Sequence, residues 1–131
     1  MFIDAKVVKG TGRTFSCSIQ QKDETNTSFV PMDLSDYAIR FRVMGSSTAD
    51  GAVLVENIIT LFSDPEVDGE IYNPTQGEFS FTITAEDTNK LGIGKRPIMI
   101  DILDADTLTY VDTLTQGGKN GEFNVINIIQ V

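Results

Sequence analysis

The sequence predicts an all-β fold, an antiparallel sandwich or barrel, and three observations support this prediction. Apolar and polar residues alternate in short runs along most of the chain. Clusters of Gly, Asn, Asp, Ser and Pro separate these runs. Only residues 84–92 carry a helical pattern. We therefore expect about eight or nine strands and one short helical turn.

The first half of the chain contains four strand regions. Residues 2–8 form the first, and residues 14–21 the second, with one face made by Phe15, Cys17 and Ile19. A polar turn precedes the third, residues 37–43, where Tyr37, Ile39, Phe41 and Val43 alternate with polar or small residues. Residues 52–62 are apolar nearly throughout, which predicts one strand buried on both faces or two strands around a bend near Asn57.

The second half begins with a strand over residues 78–84, whose phenylalanines and isoleucine point inward. Thr84 is placed to cap a helical turn that Gly92 ends. A strand from Pro97 follows, with Ile98, Ile100 and Ile102 facing in. Residues 108–114 form its return strand, residues 116–121 a glycine-rich hairpin tip, and residues 122–131 the last strand.

Length and charge restrict the possible functions. A chain of 131 residues fits a single domain, 1–131. Its formal net charge of −9 would be repelled by phosphate backbones and anionic membrane surfaces. No basic region followed by an apolar run marks a signal peptide, and no apolar stretch is long enough to cross a bilayer. We expect neither nucleic acid nor membrane as a partner, and synthesis in a cytoplasm.

The residue inventory removes the common catalytic mechanisms. The chain has no histidine, so a Ser or Cys nucleophile would lack its usual base. Its one cysteine, Cys17, excludes an intrachain disulfide and alternates with polar residues as a buried, unreactive thiol would. The carboxylates lie mostly in turns, where solvated surface is their ordinary role. We expect a non-enzyme that binds no cofactor.

One acidic loop partly resembles a metal site. Asp64, Glu66 and Asp68 alternate before Gly69, as in the first half of a calcium-binding loop. The position that should carry a bidentate glutamate is Thr75, and no amphipathic helix flanks the loop. We expect no metal, and retain these three acids as calcium candidates that the rest of the loop does not support.

The end of the chain is apolar to its final residue, whereas a free end usually carries solvated residues. This pattern fits an inner strand that ends flush with its sheet. It also fits a strand that contributes to a subunit interface or pairs with another chain. The interface candidates are Phe2, Ile3, Ile126, Ile128, Ile129 and Val131.

Several motifs occur in an order that resembles a family of bacteriophage virion domains. They are Gly-x-x-Phe-Ser at residues 12–16, Pro-x-Asp-Leu-Ser-x-Tyr-x-x-x-Phe-x-Val at 31–43, Gly-x-Phe-x-Phe-x-Ile-Thr-x-x-Asp-Thr at 77–88, and Asp101-Ile102. Together they are similar to the N-terminal domain of phage upper baseplate proteins, over roughly residues 10–131. The chain departs from that pattern at residues 94–101, where Gly-x-Tyr-x-Tyr-Asp is usual.

The resemblance implies an immunoglobulin-like sandwich that docks onto other virion proteins and carries no catalytic residues. We therefore expect a virion structural protein, in the tail or baseplate, whose partners are other virion proteins or further copies of itself. A head decoration protein is the alternative within this class. A carbohydrate- or host-surface-binding module, with its specificity in the loops, is the alternative from another class.

Overall fold

A computed structural model describes residues 3–22, 25, 28–45, 52–91, 94–115 and 121–126. Within these ranges the chain forms eleven strands, one α-helix and one 3-10 helix. The strands are β1 (Ile3–Val8), β2 (Arg13–Ser18), β3 (Gln20–Lys22), β4 (Phe29–Pro31), β5 (Tyr37–Met44), β6 (Val53–Ile59), β7 (Ile71–Asn73), β8 (Glu78–Ile83), β9 (Gly94–Asp104), β10 (Tyr110–Thr115) and β11 (Gly121–Ile126). The 3-10 helix is Pro74–Gln76, and α1 is Ala85–Lys90.

Two sheets form the sandwich. The larger has the order β1-β11-β9-β5-β6, with β10 also paired to β9, and the smaller has the order β2-β8-β7. A separate ribbon joins β3 and β4. All pairs are antiparallel except β1 with β11, which run parallel.

The strand order defines an immunoglobulin-like sandwich. In that fold the B, E and D strands share one sheet, and the C, F and G strands share the other, which variable-type domains extend beside C. Here β2, β8 and β7 occupy the B, E and D positions, and β5, β9 and β10–β11 occupy the C, F and G positions, with β6 beside β5. The predicted fold class is therefore confirmed. Eight strands have six or more residues, in line with the expected number of about eight or nine, and the other three have three residues each.

Aromatic rings join the two sheets at the centre of the core. The ring of Phe41 in β5 stacks on Phe81 in β8 with centroids 4.3 Å apart, and Phe81 stacks on Phe15 in β2 at 4.9 Å. Such pairs contribute about 0.5–1.5 kcal/mol beyond the area they bury. The three rings are at the inward positions that the alternating pattern predicts.

A buried polar side chain adds a second link between the sheets. Asn57 on β6 is 4% exposed and donates from Nδ2 to the carbonyl of Thr82 on β8 at 2.6 Å. Burial of an amide requires such a partner, because an unpaired one would cost about 1–3 kcal/mol. β6 continues through Asn57 without interruption, so this residue does not lie at a bend between two strands. The alternating burial of β6 also shows that the strand is buried on one face only.

The last part of the chain differs from the sequence prediction. A hairpin tip over residues 116–121 would make β10 and β11 run in opposite directions. Both strands are instead antiparallel to β9, β10 along Ile100–Leu103 and β11 along Gly94–Pro97. They therefore run in the same direction along one edge of β9, which contradicts a direct hairpin between β10 and β11. Residues 116–120, on which the predicted tip falls, lie outside the described residues.

Candidate docking site

The turn between β9 and β10 presents a group of exposed apolar side chains. We call residues 104–112 the β9–β10 tip. Within it Leu108 is 47% exposed, Tyr110 59% and Val111 49%. Scattered single apolar residues on a surface are normal, but three within four positions form a contiguous segment.

Leu108 holds an unusual backbone conformation. Its φ of 55° makes it the one non-glycine residue with positive φ among the residues that the structure describes. This left-handed conformation costs an L-residue about 1–2 kcal/mol and is adopted mainly by Gly, Asn and Asp. Sequence reasoning missed this feature, because leucine at that position gives no signal of a left-handed turn.

The tip is held by Asp104, whose carboxylate closes the turn. Asp104 Oδ1 accepts from the backbone N–H groups of Asp106 at 2.9 Å and Thr107 at 3.1 Å. These bonds lower the pKa of Asp104, the Thr107 N–H most, so the turn is closed by an ionised carboxylate. The carbonyl of Asp104 accepts from the N–H of Leu108 at 2.8 Å, and its own N–H donates to Thr109 at 2.9 Å.

A further hydrogen bond ties the tip to the neighbouring strand. The N–H of Ala105 donates to the carbonyl of Asp36, which directly precedes β5, at 3.0 Å. The strained residue is thus enclosed by bonds from its own turn and from the next strand. Backbone strain persists only where surrounding structure fixes it in this way.

A buried ion cluster fixes β5 and β9 beneath the tip. The carboxylate of Asp101 is 1% exposed, and its Oδ2 accepts from Arg40 Nη2 at 2.6 Å and Arg42 Nη2 at 2.7 Å. Arg40 lies directly opposite Asp101 in the register. The side chain of Asp101 lies on the face of β9 opposite Ile100 and Ile102, where the two arginines cover it. Its place in a sequence motif therefore reflects a structural ion pair.

The calcium candidates, Asp64, Glu66 and Asp68, lie between β6 and β7. The described residues contain no group of three or more acidic, Cys or His side chains placed to hold an ion. Asp64 Oδ1 instead accepts from the Glu66 N–H at 2.9 Å, and the Asp68 carbonyl accepts from Thr82 at 3.1 Å. Burial, with the charges of Asp64 and Asp87, raises the pKa of Asp68.

The interface candidates have separate outcomes. Ile126 ends β11, which lies between β1 and β9, so its strand is an inner one. Ile3 begins β1, which pairs with β11 and lies at the edge of the larger sheet. Phe2, Ile128, Ile129 and Val131 lie outside the described residues. The inner-strand interpretation therefore fits the described part of the C-terminal run, and the interface interpretation stays a prediction.

Two remaining features offer little chemistry. Cys17 packs against the core, and burial raises its pKa to about 11, which keeps the thiol protonated. A shallow groove of about 430 Å³ is lined by Arg13, Thr14, Glu66 and Thr82, among others. The two threonine hydroxyls bond to each other at 2.8 Å, and Thr82 also donates to the Pro65 carbonyl at 2.7 Å, so much of the groove's polar capacity is already used.

Comparisons with known proteins give little beyond the fold. No family model matches the chain, and no curated protein matches it. Among solved structures, the chain is similar to the ZIG-8–RIG-5 IG1–IG1 heterodimer, with 15% sequence identity over 97% of this chain and 84% of that one. The TM-score of 0.40 is too low to add to the assignment made from strand order. No helix among the described residues is long and apolar enough to span a membrane.

Proposed function

We propose that the protein is a non-enzymatic structural protein of a bacteriophage virion, a tail or baseplate component that joins other virion proteins. The observation that carries the proposal is the ordered series of motifs over residues 10–131, which resembles virion domains. The immunoglobulin-like sandwich agrees with the fold that this resemblance implies.

The form of the molecule suits assembly. Two stacked sheets with aromatic and amide links between them make a rigid body, and the β9–β10 tip gives that body a fixed, apolar projection. A virion repeats the same contact many times by symmetry, so contacts that are individually weak become avid together. Docking by a preformed surface also avoids the entropy cost of ordering a loop on binding.

The direct test is the protein content of purified particles. Phage particles from a host that produces the chain are purified on a density gradient, separated into tails and capsids, and quantified by mass spectrometry. The proposal expects a fixed number of copies per particle in the tail fraction. Copies in the capsid fraction would support the head decoration alternative, and absence from washed particles would reject both.

A glycan array tests the alternative of host-surface binding. The groove beside Arg13 is the place where a sugar would be sought, but its threonine hydroxyls are largely engaged. We expect no saturable glycan signal from the isolated protein. A clear signal that the variant Arg13→Ala loses would replace the assembly proposal with a binding module.

A further inference from the structure

We propose that the β9–β10 tip is the element that docks, and that it inserts into an apolar pocket rimmed by Lys or Arg on a neighbouring virion protein. The inference rests on the proposed function and names the docking surface and the chemistry of the partner. It rests on three features of the tip: the strained backbone of Leu108, the hydrogen bonds that hold the turn, and the combination of apolar and acidic side chains.

Strain is the first feature. Leu108 adopts a φ of 55° and leaves nearly half of its side chain in water. Folding alone would favour Gly or Asn there, since both tolerate the left-handed region and neither exposes an apolar side chain. A leucine at such a place works against stability twice. Unfavourable local choices of this kind are characteristic of functional sites.

The hydrogen bonds that hold the turn are the second feature. The carboxylate of Asp104 and the carbonyl of Asp36 hold the turn through hydrogen bonds of 2.9–3.1 Å. The tip is therefore set before a partner arrives, and its insertion does not require ordering of the turn.

The third feature specifies the partner. Leu108 and Val111 fit an apolar pocket, because removal of their exposed side chains from water is favourable. The exposed Asp106 and Asp36 lie beside these side chains, and residues 104–112 include no lysine or arginine. This acidic border around an apolar centre is complementary to a pocket with basic residues at its rim.

The acidic loop with Phe62 is the rival surface. Phe62 is 95% exposed and Val67 is 48% exposed, so exposure alone would favour that loop. Its residues, however, carry no positive φ outside Gly69, so no strain is maintained there to present an apolar side chain. Phe62 is therefore the matched control for the tip.

The test uses the full chain, produced in a host infected by phage that lacks the gene. Two variants, Leu108→Gly and Leu108→Asn, remove the apolar side chain while keeping a residue that tolerates the left-handed turn. We expect each to reduce the copies per purified particle at least tenfold, with a thermal unfolding midpoint equal to or above that of the unmodified protein. Leu108→Met and Phe62→Asp are expected to incorporate normally.

The outcomes separate the two proposals. If the unmodified chain is absent from particles, the proposed function fails and this inference falls with it. If the unmodified chain is present and both Leu108 variants incorporate equally well, the inference alone is overturned. Loss with Phe62→Asp and retention with Leu108→Gly would move the docking surface to the rival loop.

The basic rim has its own test. The double variant Asp36→Asn, Asp106→Asn removes two exposed charges beside the tip. We expect particles that carry it to release the protein at lower NaCl than particles with the unmodified chain, because screening competes with the charge attraction. The control Glu56→Gln, Glu66→Gln removes two exposed charges elsewhere and is expected to leave release unchanged. Equal release of both variants would overturn the basic rim.

Discussion

The carboxylate of Asp101 and the backbone of Gly69 show how single residues determine this fold. Asp101 is 1% exposed and tied to two arginines on the adjacent strand, so its charge is compensated inside the protein. Gly69 has a φ of 104° and lies against β8 with no room for a side chain. Both residues are polar or small in the sequence, yet both are positioned by close contacts.

Removal of the buried charge should destabilise the sandwich. We expect Asp101→Ala to lower the free energy of unfolding by about 2–3 kcal/mol, since two guanidinium groups lose their buried partner but can turn toward water. Urea denaturation measures the loss. Asp106→Ala, an exposed aspartate, is the control and should change the free energy by less than about 0.5 kcal/mol. Equal, small effects of the two variants would show that the ion cluster is not structural.

Two glycine substitutions separate the cost of a steric clash from the cost of a left-handed backbone conformation. In Gly69→Ala the new Cβ would collide with the Ser80 carbonyl oxygen and lie 2.6 Å from Phe81 Cα, so we expect a loss of more than about 3 kcal/mol. In Gly10→Ala, φ is also positive at 85°, but the nearest atom is Asn89 Oδ1 at 3.4 Å, so only the conformational cost of about 1 kcal/mol is expected. Thermal unfolding of both variants tests this order, which similar losses would contradict.

At the scale of elements, α1 is short and depends on its ends. Thr84 accepts from the Asp87 N–H at 3.1 Å, and the Asp87 carboxylate accepts in return from the Thr84 N–H, which completes a capping box. Lys9 donates to the carbonyls of Asn89 and Leu91 at the other end. Hydrogen bonds therefore hold both ends of the helix, which connects β8 in the smaller sheet to β9 in the larger sheet.

The N-terminal cap should be worth about 1 kcal/mol. We expect Thr84→Ala to lower the free energy of unfolding by that amount, because the backbone N–H of Asp87 loses its acceptor. Thr84→Ser keeps the oxygen and should lose much less. Chemical denaturation of the three proteins tests the role of the cap, and equal losses from both variants would attribute the effect to packing of the methyl group.

The charge of Asp68 in the acidic loop should reduce the stability of the protein slightly near neutral pH. Because the folded-state pKa of Asp68 is raised above 3.8, the charged form costs stability, and this cost disappears as the pH falls through that raised pKa. Asp68→Asn should therefore stabilise the protein by up to about 0.5 kcal/mol at neutral pH, a value reduced by solvent screening.

The pH dependence provides the check. The gain from Asp68→Asn should vanish below the ordinary pKa of 3.8, where Asp68 is protonated in both states. Glu66→Gln, an exposed neighbour, should show no comparable change. A gain that persisted in acid would mean that the substitution acts by packing and not by charge.

At the scale of the whole molecule, the sequence predicts the strands far better than their partners. Alternation identifies the inward faces of β5, β8 and β9, because strand geometry imposes a period of two. Pairing is not local. From the sequence, β11 could pair with β10 in a hairpin or with β9, and the glycines of residues 116–121 fit either pairing.

The candidate site shows the same limit. Aspartates such as Asp104 and Asp106 are typical of turns, and the structure has a turn at this place. The left-handed conformation of Leu108 depends on its turn, and that turn is tied to the neighbouring strand by the hydrogen bond from Ala105 N–H to the Asp36 carbonyl. A local sequence pattern does not contain this contact. Burial of Asp101 on an outward face likewise requires two arginines from a strand about 60 residues away in sequence.

The most direct measurement is a cryo-electron microscopy reconstruction of the phage particle that contains this chain. We expect sandwich-shaped density for each copy, with the β9–β10 tip buried in a neighbouring protein and Leu108 in an apolar pocket bordered by Lys or Arg. Density for the sandwich with the tip facing solvent would contradict the docking site. A particle with no such density would contradict the virion function itself.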